Sequence, residues 1–508
     1  MKILLELRPA LDGHAGIPQE TRLLFRGLRL LEGLAVEGMI IHSGRVLAKG
    51  LPGDAAYANN PESRDREIFK LSRVIISLQE SLHPKLLHKT GVDIDQLTGS
   101  INMVLKHLLG GSQKLTRFNP THFHDFIWRN FFSKTLPHSD FESVTTADYR
   151  VSRLPWTMMH LCGLNSRTLG VPFYPRLNTS EFNIFISQTP FPGTVSKQTK
   201  LVVRYHDAIP VLMPHTISDK TFHQASHYYA LKHNVQSGAY FACVSEATRK
   251  DLLAIFPEAA TRAVTIHNMV SHHYFPEESS AIRVPEIVRT RMHSHPAVTV
   301  VPLNPKQSTA KFTGLPIKTK AGGILPFEYL LMVSTIEPRK NHLTLVSAWE
   351  QLRIEQFPNM KLVIVGMLGW NFEMIVKKFK TWQERSELFI LEDVPSPELR
   401  LLYKHASATI CPSFAEGFDF SGVEAMRCGG AVVASRIPVH EEVYDDAAEY
   451  FSPYSTVEMV AAIEAVIGKG QAKRREELVA KGRVVSERYL PAVVLPKWRD
   501  FLQNKLAP

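Results

Sequence analysis

The sequence predicts an α/β protein of two domains, and three observations carry that expectation. The chain has 508 residues, too many for a single hydrophobic core. It opens with a strand, a glycine loop and a helix, which is the start of an α/β layer. From 328 to 455, strand and helix patterns alternate regularly, which implies a parallel sheet with helices on both faces. Apolar residues at 44% and charged residues at 21% fit an ordinary globular protein. No stretch reaches about 18 uncharged apolar residues, so no membrane span is expected.

Residues 2–8 (KILLELR) read as the first strand rather than as a signal peptide. PALDGHAGIPQE follows as a loop with Gly13 and Gly16, then TRLLFRGLRLLEGL as a helix. The Gly13-x-x-Gly16 spacing lacks the third glycine of a dinucleotide fingerprint, which disfavours a Rossmann dehydrogenase. Arg22, Arg26 and Arg29 share one helical stripe. Between 50 and 150, HPKLLHKTGVDIDQL, GSINMVLKHLLGG and HFHDFIWRNFFSKTL suggest helices. His122, His124 and Asp125 have no partner cluster at ligand spacing, so no metal site is expected there. EFNIFISQTP and KLVVRYHDAIP read as strands. The second delivers His206 and Asp207 at its C-terminal end, where α/β folds place ligand chemistry. FHQASHYYALKHN reads as a helix, but its His223 and His227 lack the glutamate of a zinc motif. YFACVSEATRKDLLAIFP gives a strand, Ser245 as N-cap and a helix, and AVTIHNMV gives another strand. Residues 275–325, rich in Pro, Ser, Thr, Lys and Gly, read as an interdomain connection plus an insertion.

EYLLMVST at 328 opens the second domain. IEPRKNH is its loop and TLVSAWEQL the next helix, with Thr344 or Asn341 near the cap. Arg339 and Lys340 therefore follow a strand and precede a helix, where both can neutralise a diphosphate. KLVIVGMLGW and ELFILEDVPSPELRLLYKHA repeat the pattern. Residues 406–411 (ASATIC) then read as a buried strand. A loop with Gly417, Asp419, Ser421 and Gly422 follows, then a helix from Val423 with Ser421 as N-cap. Strand, small-residue loop and helix together point free backbone N–H groups at an anion. Glu416 and Glu424, separated by seven residues, can flank that anion and accept hydrogen bonds from hydroxyls on either side. A hydroxyl-rich molecule with a diphosphate in its middle is a nucleotide sugar. Two glutamates on a solvated turn is the other reading. SERYLPAVVLPKWRDFLQNK closes the chain as an amphipathic helix broken by Pro491 and Pro496.

Basic residues exceed acidic ones by 59 − 49 = +10, which favours anionic partners. No aromatic-and-basic interleaving of RNA-binding type occurs, so no nucleic acid is expected. Cys162, Cys243, Cys411 and Cys428 form no CxxC and read as reduced thiols of a cytosolic protein.

HDAIP, VSEATRKDL, EPRKNH and EGFDFSGVEAM, with Glu416-x7-Glu424 inside the last, run in the order found in the retaining GT-B glycosyltransferases of family 4, which this chain resembles. AVTIHNMV is similar to that family's Pro-Asn-Gly segment, with His267 in place of the usual proline. The resemblance implies a GT-B fold, with two Rossmann-like domains facing across a cleft. Residues 1–280 would form the acceptor-binding domain, with a helical insertion around 50–150; 281–325 a linker; and 326–485 the nucleotide-sugar domain. Residues 486–508 would form a helix crossing back onto the N-terminal domain, anchored by Trp498. The implied activity is that of a hexosyltransferase in bacterial surface polysaccharide assembly. GDP-mannose leads as donor, ahead of rhamnosyl or other hexosyl transfer from GDP-, dTDP- or UDP-sugars. The acceptor is a saccharide or lipid-linked glycan, and no metal or further cofactor is required. The same resemblance makes Glu416, His206, Asp207, Arg339 and Lys340 catalytic. It assigns donor binding to Gly16, Arg339, Lys340, Asp393, Val394, Phe418, Phe420, Ser421, Gly422 and Glu424. Arg339 and Lys340 would meet the diphosphate, Glu416 the sugar hydroxyls and Glu424 the ribose, while Asp393 and Val394 border the base. Phe420 and Ser421 depart from the Leu-Pro of many relatives. The arginine stripe is expected either to lie near an anionic membrane, peripheral to the inner face of the cytoplasmic membrane, or to form a solvated face of a cytoplasmic protein. A non-catalytic nucleotide- or carbohydrate-binding protein is the rival from another class.

Overall fold

Short apolar runs such as KILLE, KLVVRY, YLLMV and KLVIV are buried almost throughout, as strands covered on both faces must be. The computed structural model describes residues 1–14, 16–47, 61–80, 111–167, 172–292 and 326–506. The helices read in HPKLLHKTGVDIDQL and, apart from Gly111, GSINMVLKHLLGG fall outside these residues. The chain divides into two units. The first comprises Met1–Pro214, Asp219–Met269 and Val494–Pro508; the second comprises His215–Ser218 and Val270–Val493.

The first unit holds β1 (Lys2–Glu6), β2 (Ala35–Ile40), β3 (Gln113–Lys114), β4 (Thr116–Phe118), β5 (Tyr149–Val151), β6 (Leu177–Asn178), β7 (Ile184–Ser187), β8 (Lys200–Tyr205), β9 (Tyr240–Cys243) and β10 (Ala263–Thr265). Eight of these form one sheet in the order β10-β9-β8-β7-β1-β2-β5-β4, with β3 and β6 paired apart. Pairing in the main sheet is parallel except for β4 against β5. The helix Ile17–Arg29 joins β1 to β2 and buries Leu23, Leu24, Phe25 and Leu28.

The second unit holds β11 (Tyr329–Val333), β12 (Lys361–Val365), β13 (Leu388–Leu391), β14 (Ala408–Cys411), β15 (Val432–Ser435) and β16 (Ala448–Phe451). They form a wholly parallel sheet ordered β13-β12-β11-β14-β15-β16. Both sheets are Rossmann-like, as the sequence led us to expect.

Two local expectations change. The segment ESSAIRVPEIVRTRM, read as linker, contains a helix, Val284–Arg291, that belongs to the second unit. Pro285 sits in its first turn, where a missing N–H costs nothing, and Val284, Ile287 and Val288 are buried. At the C-terminus Pro491 opens a new helix, Pro491–Asp500, but Pro496 lies inside that helix without ending it. Val494, Trp498, Phe501 and Leu502 are buried in the core of the first unit, so the last helix belongs to the N-terminal domain. Among the described residues, no helix is long and apolar enough to cross a membrane. All four cysteines are buried and free.

Burial holds the pKa of His160, His227 and His342 down to about 3. Such groups bind fewer protons folded than unfolded, so stability is complete above the ordinary histidine value and is lost as pH falls below it. At pH 5 each is expected to cost its unit about 2 kcal/mol. Urea midpoints measured from pH 7 to pH 5 should fall steadily; a constant midpoint would contradict the burial of these rings.

Candidate active site

In the second sheet, β11 and β14 are parallel neighbours, yet the chain leaves them in opposite directions. From β11 it runs through β12 to β13 at one edge, and from β14 through β15 to β16 at the other. Open α/β sheets bind ligands beyond the carboxyl ends of strands at such a reversal. The loops there are residues 334–341 and 412–419. They are stitched together by Phe414 N donating to Arg339 O at 3.0 Å, and by Arg339 Nη1 donating to Ala415 O at 2.6 Å. Asn341 is the N-cap residue of the following helix, within the expected choice, but its side chain makes no capping hydrogen bond. It lies in the left-handed region at φ 62°, and its Nδ2 donates to Pro412 O and Pro453 O at 3.0 and 2.9 Å.

This stitching brings Arg339, Lys340 and Glu416 together. The Glu416 side chain is only 7% exposed. Lys340 Nζ lies 2.5 Å from its Oε1 and Arg339 Nη1 lies 2.8 Å from its Oε2. Burial alone would raise the Glu416 pKa, but Arg339 and Lys340 outweigh it and hold the carboxyl below its usual range. Arg339 also pairs with Glu337 Oε1 at 2.8 Å. Two fixed cations thus stand beside two carboxylates at the strand ends.

The next helix begins one residue before Ser421. It spans Phe420–Cys428, and its N-cap is Asp419, not Ser421. Asp419 Oδ1 accepts from the Ser421 amide at 3.2 Å and from its hydroxyl at 2.6 Å. A carboxylate is an acceptor only, which suits this position at the positive end of a helix. Burial would raise the Asp419 pKa, but the hydrogen bond from His440 and the charge of Lys340 drive it far below the usual value. Phe418 and Phe420 are both buried, 5.2 Å apart between ring centroids, and Phe418 meets Tyr489 edge-on. Gly422 is also buried, and a Cβ built on it would lie 2.3 Å from Tyr444 Cζ. Gly422→Ala is expected to cost about 1–3 kcal/mol by overpacking, read as a lower urea midpoint. Glu424 is 4% exposed, accepts from Tyr403 OH at 3.0 Å, and is hydrogen-bonded to Tyr274. Asp393 and Val394 follow edge strand β13, two strands removed from β11; Asp393 is exposed at φ 49°.

The remaining site residues lie in the first unit. Gly16 is exposed at φ 70° and precedes the helix Ile17–Arg29. His206 and Asp207 follow β8. The His206 Nε2 is buried with no partner among the described residues. Burial, then nearby Arg204, holds its pKa well below the usual value, so the ring is neutral. Asp207 Oδ1 accepts from Ile209 N at 3.0 Å.

The arginine stripe is neither a membrane face nor a solvated one. Arg22 is fully buried. It donates to Ala10 O, Asp12 O and Gly13 O at 2.8, 2.6 and 2.9 Å, which pins the glycine loop. Arg26 pairs with Asp140, and Arg29 donates to Ser143 O and Val36 O. The stripe packs on the protein's own carbonyls because the segment around Phe131 to Ser143 covers it.

Several contributors were invisible in the sequence. His440 and the Glu20–Arg204 pair carry no motif of their own, and Glu337, though it opens EPRKNH, was given no role there. The Asp419 cap was hidden because serine and aspartate cap about equally well.

Residues 319–485 match the family model described as glycosyl transferases group 1. A serotype-specific mannosyltransferase WbdA of Escherichia coli is 35% identical over 135 residues, 26% of this chain and 16% of that protein. The O-antigen chain mannosyltransferase B of Escherichia coli is 34% identical over 119 residues, 23% of this chain and 31% of that protein. The matched part thus spans under a third of either relative. Among solved structures, sucrose-phosphate synthase from Thermosynechococcus elongatus is similar over 100% of both chains, with a TM-score of 0.58 at 12% identity. That likeness is one of fold, and it agrees with a GT-B architecture.

Proposed function

Residues 319–485 form a glycosyl transferases group 1 domain, and from that premise we propose that the protein is a retaining glycosyltransferase. It moves mannose from GDP-mannose to a saccharide or lipid-linked glycan in bacterial surface polysaccharide assembly. The mannosyltransferase relatives support mannose as the transferred sugar. One observation carries the reading: Arg339, Lys340 and Glu416 converge where the order of the sheet reverses.

In the proposed reaction the bond between the sugar C1 and the diphosphate oxygen breaks, and a bond from the acceptor oxygen to C1 forms on the same face. Negative charge grows on the leaving diphosphate. Arg339, Lys340 and the amides opening the helix Phe420–Cys428 stabilise it, an electrostatic term that is often the largest in an enzyme. The departing phosphate oxygen takes the acceptor's proton. Glu416 binds sugar hydroxyls, exchanging its contact with Lys340 for them, and Glu424 binds the ribose. The side-chain cations fill the role a divalent metal plays elsewhere. His206, neutral by burial, and Asp207 would serve the sugar and acceptor.

Release of nucleoside diphosphate from GDP-mannose, with UDP- and dTDP-sugars in parallel, tests the proposal. Turnover with GDP-mannose that Glu416→Ala abolishes is expected. Faster turnover with another sugar nucleotide would change the donor. Equal, low turnover in wild type and variant would leave a non-catalytic binding protein.

A further inference from the structure

We propose that His440 is a positioning residue for the donor loop: it grips Asp419 so that the amides opening the helix Phe420–Cys428 face the diphosphate. The proposal rests on the glycosyltransferase reading above. His440 lies on the short helix Pro438–Tyr444 and is fully buried. Its Nδ1 is 2.9 Å from the Ser435 carbonyl oxygen and 3.1 Å from the Ser435 hydroxyl; its Nε2 is 3.1 Å from Asp419 Oδ2. The Ser435 hydroxyl donates its proton to Ser413 O at 2.6 Å, so it has none for the imidazole. Both ring nitrogens therefore face oxygen atoms, Nε2 the Asp419 carboxylate. The Asp419 carboxylate, held ionised, makes that contact charge-assisted.

The consequence lies in the backbone. Asp419 sits at φ 58°, a region that residues with a Cβ occupy only under restraint. The restraints come from one short helix. His440 holds the carboxylate, Tyr444 OH donates to Asp419 O at 3.2 Å, and the two rings stack at 4.9 Å. Ser435, anchored to His440, holds the loop's other end at Ser413. The pair thus clamps both ends of the segment that carries Glu416. The turn at Asp419 sets where the Phe420 and Gly422 amides point, and neither has a carbonyl partner within the helix.

If His440 acts through Asp419, its loss should matter only while Asp419 is present. Binding of GDP and of UDP is measured by calorimetry for wild type, His440→Ala, His440→Gln, Asp419→Gly and the Asp419→Gly/His440→Ala double variant. Glycine tolerates φ 58°, so Asp419→Gly removes the carboxylate without adding strain. His440→Ala is expected to weaken binding about five- to tenfold, the size of a lost helix cap. His440→Gln, which keeps a donor, should recover to within about twofold on the same scale. The double variant should match Asp419→Gly alone. Additive losses, or His440→Gln as weak as His440→Ala, overturn the proposal. Should His440→Ala not fold, isosteric Asp419→Asn serves: it removes the carboxylate that His440 grips and should weaken binding about fivefold. Unchanged binding there overturns the proposal equally. Wild type that binds neither nucleotide overturns the glycosyltransferase reading as well; wild type that binds while every variant equals it overturns only the role of His440.

Discussion

Lys340→Ala is expected to lower sugar release from the nucleotide-sugar donor about 100- to 1,000-fold, the size seen when one preorganised donor to a developing charge is removed. In the resting site the Lys340 ammonium is held by Glu416 at 2.5 Å, so it is aimed before any ligand arrives. The diphosphate gains charge only as the C1–O bond lengthens. The ammonium therefore interacts more strongly with the transition state than with the bound donor, and kcat should fall more than KM rises. Removing the ammonium also leaves Glu416 facing Arg339 alone. Arg339→Lys should not act as a mild change, because the Arg339 fork meets Glu416 and Ala415 O through Nη1 and Glu337 through Nη2, a geometry that a lysine cannot replace. Chromatographic assay of released nucleoside diphosphate reads both variants. A loss under tenfold for Lys340→Ala would remove the ion from the chemistry.

Glu20→Ala is expected to destabilise the first unit by about 3–5 kcal/mol, as breaking one side of a buried ion pair does. Glu20 and Arg204 are both fully buried, with Arg204 Nη2 2.8 Å from Glu20 Oε1. Burial raises the Glu20 pKa, against the pull of Arg204. Arg204 also donates to Ile266 O at 2.5 Å and to Asn268 Oδ1 at 2.7 Å. It sits over the Trp498 ring, 5.2 Å from its centroid. One guanidinium thus ties the helix after Gly16, the strand before His206, the segment after β10 and the C-terminal helix. Without Glu20 that charge stays buried and uncompensated. A fall in the urea midpoint of under about 1 kcal/mol equivalent would mean that water reaches Arg204.

How the site could be read from sequence follows from spacing. EPRKNH and Glu416-x7-Glu424 placed Arg339, Lys340 and Glu416 at strand ends because the apolar strands before them are unmistakable. The stripe Arg22, Arg26 and Arg29 misled for the opposite reason. Helical periodicity says which residues share a face, but not that Phe131 O and Ser143 O would cover it. Pro285 hid a helix in the same way: its effect depends on whether it falls in the first turn, and the helix boundary is a tertiary outcome.

By itself the sequence determined two α/β units, the order of strands and helices in the second, and the cation and carboxylate loops at its strand ends. These follow from local apolar periodicity and turn chemistry, which act over about ten residues. Only the tertiary structure decided that Asp419 rather than Ser421 caps the helix, that His440 from another helix holds it, and that Glu20 and Arg204 meet 184 residues apart. Hydrogen bonds between buried polar groups depend on which segments pack together, and no local pattern encodes that.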